Sequence, residues 1–192
     1  IRVNQDVSIN DGAFHRGMVT DAIVSGTSAR ITRNHLLRTT IVLDDTFTHL
    51  TFSIRDNVIQ DSDATPWNSA GPERAAIEIW GKHPFVDEVN GDIVNNTIFG
   101  SAAHGIAYVG GGPNVGDLEI RGNLLVANAQ SGLFVKTYAW SPPVGSGGPL
   151  TIRKNLAVFN GGHGIEVYDD GLDVAASHNF ALVNALNPQC MG

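Results

Sequence analysis

Charge is scarce in this chain of 192 residues. Asp, Glu, Lys and Arg together make up 16%, against about 25% in typical soluble domains. Only 12 residues are Lys or Arg against 19 Asp or Glu, for a formal net charge of −7. The basic residues form no cluster along the sequence. A nucleic-acid groove needs a clustered basic face, so no nucleic-acid partner is expected. No run of 18 apolar residues occurs, so no membrane span is expected either. The opening Ile1-Arg2-Val3-Asn4 alternates apolar and polar residues and lacks the pattern of a signal peptide. The one cysteine, Cys190, has no internal disulfide partner and says little about compartment.

What the chain has in plenty is glycine, asparagine and a moderate apolar content. There are 22 Gly and 16 Asn, and hydrophobic residues reach 42%, which excludes a disordered tail. The length suits one sizeable core. Many Gly and Asn with little charge imply many turns and few exposed helices.

Six asparagines share a frame: Asn34, Asn57, Asn96, Asn123, Asn155 and Asn179. Three residues before them stand Ile31, Ile54, Ile93, Ile120, Ile152 and Ala176. Two residues after them stand Leu36, Ile59, Ile98, Leu125, Ala157 and Ala181. Five after them stand Thr39, Ser62, Ser101, Asn128, Asn160 and Asn184. In three units a glycine follows, Gly105, Gly132 or Gly164, and opens an alternating segment: Ile106-Ala107-Tyr108, Leu133-Phe134-Val135 and Ile165-Glu166-Val167. The second unit reaches the matching Ile77-Glu78-Ile79 after an insertion.

Each unit reads as three short strands: one ending before the Asn, one after it, and one after the Gly. Such segments are too short and too β-branched for helix pairs, and the recurring Gly and Asn oppose helix. The expected architecture is all-β, a right-handed parallel β-helix of about seven three-strand coils. Successive coils pair in parallel, so equal positions stack into ladders. Ile stacks on Ile inside. The Asn is expected at a tight αL corner, its amide bonded to the Asn above and below. The Ser/Thr/Asn column is expected to serve a second corner likewise. Residues 1–27 are expected as an irregular N-terminal coil, 28–186 as the repeats and 187–192 as a tail.

The ladder of I-x-x-N-x-[LI] with a following G-[IL]-x-V resembles the right-handed parallel β-helix of the pectin lyase-like superfamily, over about residues 28–186. The resemblance is specific for fold and poor for function, because the fold hosts lyases, hydrolases, epimerases, phage spikes and adhesins. It implies that the asparagine corner lies between the second and third sheets and that the Gly-led strands form the first. The loops leaving that sheet would span 80–91, 109–117 and 136–149, with Ser141–Pro149 walling a groove beside Tyr138 and Trp140. The ends show no capping helix. The expectation is therefore a piece of a longer protein, or an end covered by another domain or chain.

With apolar residues of the Gly-led strands pointing inward, the intervening ones stack outward. One column holds Glu78, Ala107, Phe134 and Glu166. The next holds Trp80, Val109, Lys136 and Tyr168. A third, before the glycines, holds Ala75, His104, Ser131 and His163, and Asp169 and Asp170 follow Tyr168. Carboxylates, imidazoles, an amine and aromatic rings on one face suit sugar recognition; the bland reading is a solvated strand face. The Gly162-His163-Gly164 segment is similar to a motif of polygalacturonase-type hydrolases. Phe134 and Lys136 stand where that resemblance requires paired aspartates, so that mechanism is not expected. Corner histidines are the plain reading.

A lyase or C5-epimerase on an acidic polysaccharide needs a base, an acid and a positive charge for the carboxylate. The candidates for chemistry are Lys136, His163, Glu166 and Tyr168. Glu78, Trp80, His104, Phe134, Trp140 and Asp169 are the candidates for substrate contact. Calcium could be held by Glu78 and Glu166, as hard oxygen ligands. Arg55, Arg121 and Arg153 stack on a different face and read as a solvated stripe pairing with Glu119 and other carboxylates. Gly110–Asp117 reads as a turn loop, since a calcium-roll nonapeptide needs repetition. Asn95-Asn96-Thr97 is a formal glycosylation acceptor in a ladder corner. The alternative function is a non-catalytic glycan-binding or structural segment of a larger secreted or cell-surface protein.

Overall fold

A computed structural model describes residues 7–10, 13–23, 27–45, 50–63, 74–81, 89–111, 115–138, 149–168 and 174–186. The loop expected at 141–149, save Pro149, the tail 187–192, Trp140 and Asp169 lie outside the described residues. Among those described there is no helix, and every strand pairing is parallel. No helix is long and apolar enough to cross a membrane. The arrangement is compatible with a parallel β-helix.

The strands fall into two sheets. The first takes β1 (Val7–Asn10) and the six strands that precede the ladder asparagines: β3 (Thr27–Thr32), β5 (Leu50–Arg55), β8 (Val89–Val94), β11 (Val115–Arg121), β14 (Leu150–Arg153) and β17 (Val174–Ser177), hydrogen-bonded in that order. The second sheet has eleven strands. Its short strands after the asparagines are β6 (Val58–Gln60), β9 (Thr97–Phe99), β12 (Leu124–Val126), β15 (Leu156–Val158) and β18 (Phe180–Leu182). Its Gly-led strands are β7 (Ala75–Gly81), β10 (His104–Gly111), β13 (Leu133–Tyr138) and β16 (Ile165–Tyr168). Two long strands, β2 (Ala13–Ile23) and β4 (His35–Asp45), complete it.

Strand β4 joins the two kinds of strand into one sheet. Its beginning pairs with β6, His35 facing Val58, and its end pairs with β7, Ile41 facing Ile77. The expectation of three short strands per unit thus fails here. No glycine or inserted loop interrupts Leu37–Ile41, so the backbone bends once, at Arg38 with φ 51°, and continues as strand. Toward the N-terminus β1 pairs with β3 over four residues, and β2 pairs with β4 from Ala13 to Ile23.

Registers align the repeat columns as the spacing predicts. Ile31, Ile54, Ile93, Ile120 and Ile152 face one another in turn and are buried. A parallel column Ala29–Phe52–Gly91–Leu118–Leu150 packs beside them. A side chain on Gly91 would meet the Phe52 ring at 2.7 Å, so the ring fills the room the glycine leaves. The glycines that open strands have a similar cause. A Cβ on Gly132 would come within 2.7 Å of the Gly164 carbonyl oxygen; close stacking demands the glycine there.

The asparagines form a continuous ladder. Each side-chain amide donates to the next Asn Oδ1: Asn34 to Asn57 at 3.0 Å, Asn57 to Asn96 at 2.9 Å, Asn96 to Asn123 at 3.1 Å, and on to Asn155 and Asn179 at 3.0 Å each. The same Oδ1 atoms accept the backbone N–H of the preceding Asn. The second amide proton reaches back to the isoleucine carbonyl one repeat earlier, as from Asn96 to Ile54 at 2.9 Å. An amide side chain has two acceptor sites and two donors, and the interior Asn96 and Asn123 use all four. A second ladder runs Asn128–Asn160–Asn184 at 2.8 and 2.9 Å, and the Ser101 backbone N–H joins it at Asn128 Oδ1. Further along the column Ser62 bonds Thr40, not the expected Thr39, whose hydroxyl donates to the Leu37 carbonyl.

The αL corner lies one residue earlier than the sequence suggests. Arg33, Asp56, Asn95, Gly122, Lys154 and His178 take positive φ immediately before the ladder asparagines, and Asp61, Gly100, Ala127, Phe159 and Val183 do so before the second column. The Asn is needed for its four hydrogen bonds, so the strain of the turn falls on the neighbour, whose side chain points out.

Two outcomes follow. Asn96→Ala removes the acceptor for two donors of buried Asn57 and should destabilise the fold by about 3 kcal/mol, read as a fall in denaturation midpoint; an unchanged midpoint would show that the ladder adds nothing. Val183→Asn should stabilise by about 1 kcal/mol, because αL costs a β-branched residue roughly that much more; a lowered melting temperature would contradict the strain.

Candidate functional site

Strand pairing assembles the expected columns. Glu78 faces Ala107, Ala107 faces Phe134 and Phe134 faces Glu166. Trp80 faces Val109, Val109 faces Lys136 and Lys136 faces Tyr168. The solvated face expected along them is absent over β7 and β10. Glu78 and Trp80 are each 5% exposed, Phe134 6% and His104 7%. With Val42, Ala75, Ala107 and Val109, Trp80 and Phe134 form a second apolar cluster on the side of the sheet away from the main core. These strands are therefore covered on both faces, as parallel strands commonly are. The signal was in the sequence: Ala75-Ala76-Ile77-Glu78-Ile79-Trp80 and Ile106-Ala107-Tyr108-Val109 are near-continuous apolar runs.

The columns open at β13 and β16. Lys136, His163 and Glu166 are partly exposed and Tyr168 is 49% exposed. Glu166 is fixed from two sides. Its Oε1 accepts from the Tyr168 hydroxyl at 2.7 Å, and its Oε2 accepts from the Ser131 hydroxyl. Ser131 Oγ in turn accepts the His163 backbone N–H at 3.2 Å, and the Ser131 backbone N–H donates to His104 Nδ1 at 3.1 Å. That last bond leaves the proton of a neutral His104 ring on Nε2. The His104 ring stacks on Phe134 with centroids 4.6 Å apart, and Phe134 meets Tyr168 at 5.8 Å. A buried imidazole and phenyl thus form the floor under the partly exposed Glu166 and exposed Tyr168, which buried Ser131 anchors from below. Ser131 is the member that sequence reasoning left without a role. Its place in the column with His104 and His163 was the available signal.

The hydrogen bond to Glu166 raises the Tyr168 pKa from its ordinary value. The carboxylate charge adds to the rise, as does slight burial, and Lys136 opposes it. Tyr168 therefore keeps its proton at neutral pH and acts as a donor, not a base.

Register does not bring Glu78 and Glu166 together as a calcium pair, and both Glu166 oxygens are engaged by Tyr168 and Ser131. The two carboxylates stand three strand spacings apart, on β7 and β16, or about 14 Å, while calcium ligands lie within about 2.6 Å of the ion. Among the described residues no three His, Cys, Asp or Glu gather as a metal site. The arginine stripe pairs with Glu119 and another carboxylate as expected: Arg121 and Arg153 with Glu119 at 3.2 and 2.5 Å, and Arg55 with Asp92.

No protein-family model, curated protein or solved structure matches the chain.

The raised Tyr168 pKa has a measurable sign. The proton is held more tightly in the fold, so any stability it adds is present below about pH 10 and lost as pH rises through the folded value. The difference absorbance titration between wild type and Tyr168→Phe should show a midpoint above 10, and Glu166→Gln should lower it. A midpoint at or below 10 in the wild type would mean that the phenol–carboxylate bond is not formed.

Proposed function

We propose that the chain is a right-handed parallel β-helix of the pectin lyase-like kind, with about seven coils, and that it acts on an acidic polysaccharide as a lyase or C5-epimerase. The observation that carries this reading is the exposed pairing of Lys136 with Tyr168, whose phenol is oriented by Glu166. A uronate loses its C5 proton only if the charge developing on its carboxylate is stabilised. Lys136 supplies that charge. His163 takes the C5 proton as general base. In a lyase the C4–O4 bond then breaks, the C4=C5 double bond forms and Tyr168 protonates the departing oxygen. In an epimerase Tyr168 returns a proton to C5 from the opposite face. Glu166 and Ser131 hold the donor in place.

A second reading has its own support. The burial of Glu78, Trp80, His104 and Phe134 leaves only a short exposed face. The last described repeat exposes Phe180, Leu182, Val183 and Leu186, apolar side chains that a further domain or chain would cover. This favours a non-catalytic glycan-binding or structural segment of a larger secreted or cell-surface protein.

Proton NMR of alginate, pectate and neutral glycans after incubation separates the two. The catalytic reading expects unsaturated ends or inverted C5 centres, with Lys136→Ala and His163→Ala each losing about 10²-fold in turnover at unchanged melting temperature. If no glycan shows a new product or C5 proton exchange, the second reading stands.

A further inference from the structure

The first sheet has an outward face of its own. Arg30, Ser53, Asp92, Glu119 and Thr151 form one column across it, and Thr32, Arg55, Val94, Arg121 and Arg153 form the next. The αL residues Arg33 and Lys154 follow at the adjoining corner. Six of the 12 Lys and Arg residues of the chain, Arg30, Arg33, Arg55, Arg121, Arg153 and Lys154, thus share one margin. Asp56, Asp92 and Glu119 oppose them there, so the margin is net positive in a chain of net charge −7. The spacing in sequence hides this cluster; the fold creates it.

The margin also contains a cavity of about 460 Å³ lined by Ser28, Arg30, Thr51, Ser53, Arg55 and Asp92. That volume lies in the range of small-molecule sites. Its lining combines two guanidinium groups and three hydroxyls with the Asp92 carboxylate, Ala29 and Phe52. Arg55 is held in place by a two-point pair with Asp92, Nε to Oδ1 and an Nη to Oδ2 at 2.7 Å, and Ser53 Oγ donates to Asp92 Oδ1 at 3.1 Å. Arg30 is exposed and makes no ion pair among the described residues. Burial pushes the Glu119 carboxyl up, but the hydrogen bond from Arg153 and the adjacent Arg121 and Arg153 charges outweigh it and hold it below its ordinary value. Glu119 therefore stays ionised and keeps both arginines placed at neutral pH.

We propose that this margin is a binding site for a carboxylated polysaccharide, with a uronate seated between Arg30 and Arg55 and the polymer continuing past Arg121, Arg153 and Lys154. The ligand class is taken from the preceding reading and rests on it to that extent; the face is a different one. Guanidinium forks match carboxylates in two-point geometry, and the serine and threonine hydroxyls suit sugar hydroxyls. Arg55 and Arg121 stand two strands apart, about 10 Å, a separation that alternate sugars of an extended glycan present on one side. Nucleic acid fits less well, because Asp92 and Glu119 interrupt the cations where a phosphate chain needs continuous positive charge.

The test uses immobilised polygalacturonate, with binding read separately from turnover. The wild type should be retained and released by salt. Arg30→Ser, and Arg30→Ser with Arg55→Ser, should weaken binding by about tenfold or more, the scale of losing a charge-assisted bond. Arg38→Ser removes the same charge from an exposed residue off this margin and should change binding less than twofold. Melting temperatures report folding, and Arg30→Ser alone, which breaks no ion pair, serves if the double variant unfolds. The site is overturned if the wild type is not retained, if Arg38→Ser is as damaging as Arg30→Ser, or if duplex DNA or RNA is preferred. A wild type that grips polygalacturonate through these arginines without changing it would remove the catalytic reading and leave this one; turnover indifferent to the arginine variants would do the reverse.

Discussion

The ladder of buried asparagines is the constraint on which the rest of this structure depends. Amide side chains removed from water must find partners or cost several kcal/mol each. Asn96 and Asn123 satisfy both lone pairs and both protons, and they do so with the repeats on either side. The bonds close only when successive repeats are in register. A slip of one residue would break the amide ladder and also turn every strand side chain to the opposite face. The ladder and the isoleucine stack thus specify the same alignment from two kinds of chemistry. Agreement between levels of this sort is what makes a sequence fold to one answer.

The same constraint decides where the chain tolerates variety. The residue before each ladder asparagine carries the left-handed turn, and its side chain faces away from the core. Arg, Asp, Asn, Gly, Lys and His all occupy that position. For a residue other than glycine the turn costs roughly 1–2 kcal/mol, offset by the bonds the ladder makes once the corner is closed. Because identity is free there, charge collects there. Arg33 and Lys154 stand at this corner, continuing the arginines of the strands before it. A rule about backbone geometry thereby lays a basic margin on an acidic protein.

Much of the fold was legible in the sequence because its determinants repeat. Six asparagines and their isoleucines recur in fixed offsets, and the registers join them as read. What escaped notice depends on atoms outside the repeat. Asparagine tolerates αL well, so propensity alone assigns it the turn, but the need for its own N–H to donate along the ladder excludes it. Strand alternation identifies which side of a sheet a residue faces and does not say what covers that side. Glu78 and Trp80 alternate with Ile77 and Ile79 as an exposed column would, yet both are buried. The candidate site was legible only where the covering stops, at Lys136, Glu166 and Tyr168. Ser131 was passed over, although it shares the column of the two histidines, because a serine there does not by itself point to a carboxylate on the next strand.

The two sheets divide the surface by how they are used. Over β7 and β10 the second sheet is buried on both sides, which stabilises the fold but removes most of a groove. The first sheet keeps most of its apolar residues on its inner side, and its outer side, Val94 apart, carries mainly hydroxyls, carboxylates and guanidinium groups in columns that parallel pairing aligns. Exposed ion pairs of this kind contribute little to stability, typically under about 1 kcal/mol. Their cost in stability if altered is correspondingly small, so the face is free to be shaped by a ligand. A buried face answers to packing and an exposed, cation-rich face answers to what it touches. On that ground the proposed anionic partner belongs on the first sheet, and the proposed proton transfer belongs at the short cluster around Glu166, where a buried floor of His104 and Phe134 underlies the exposed Tyr168.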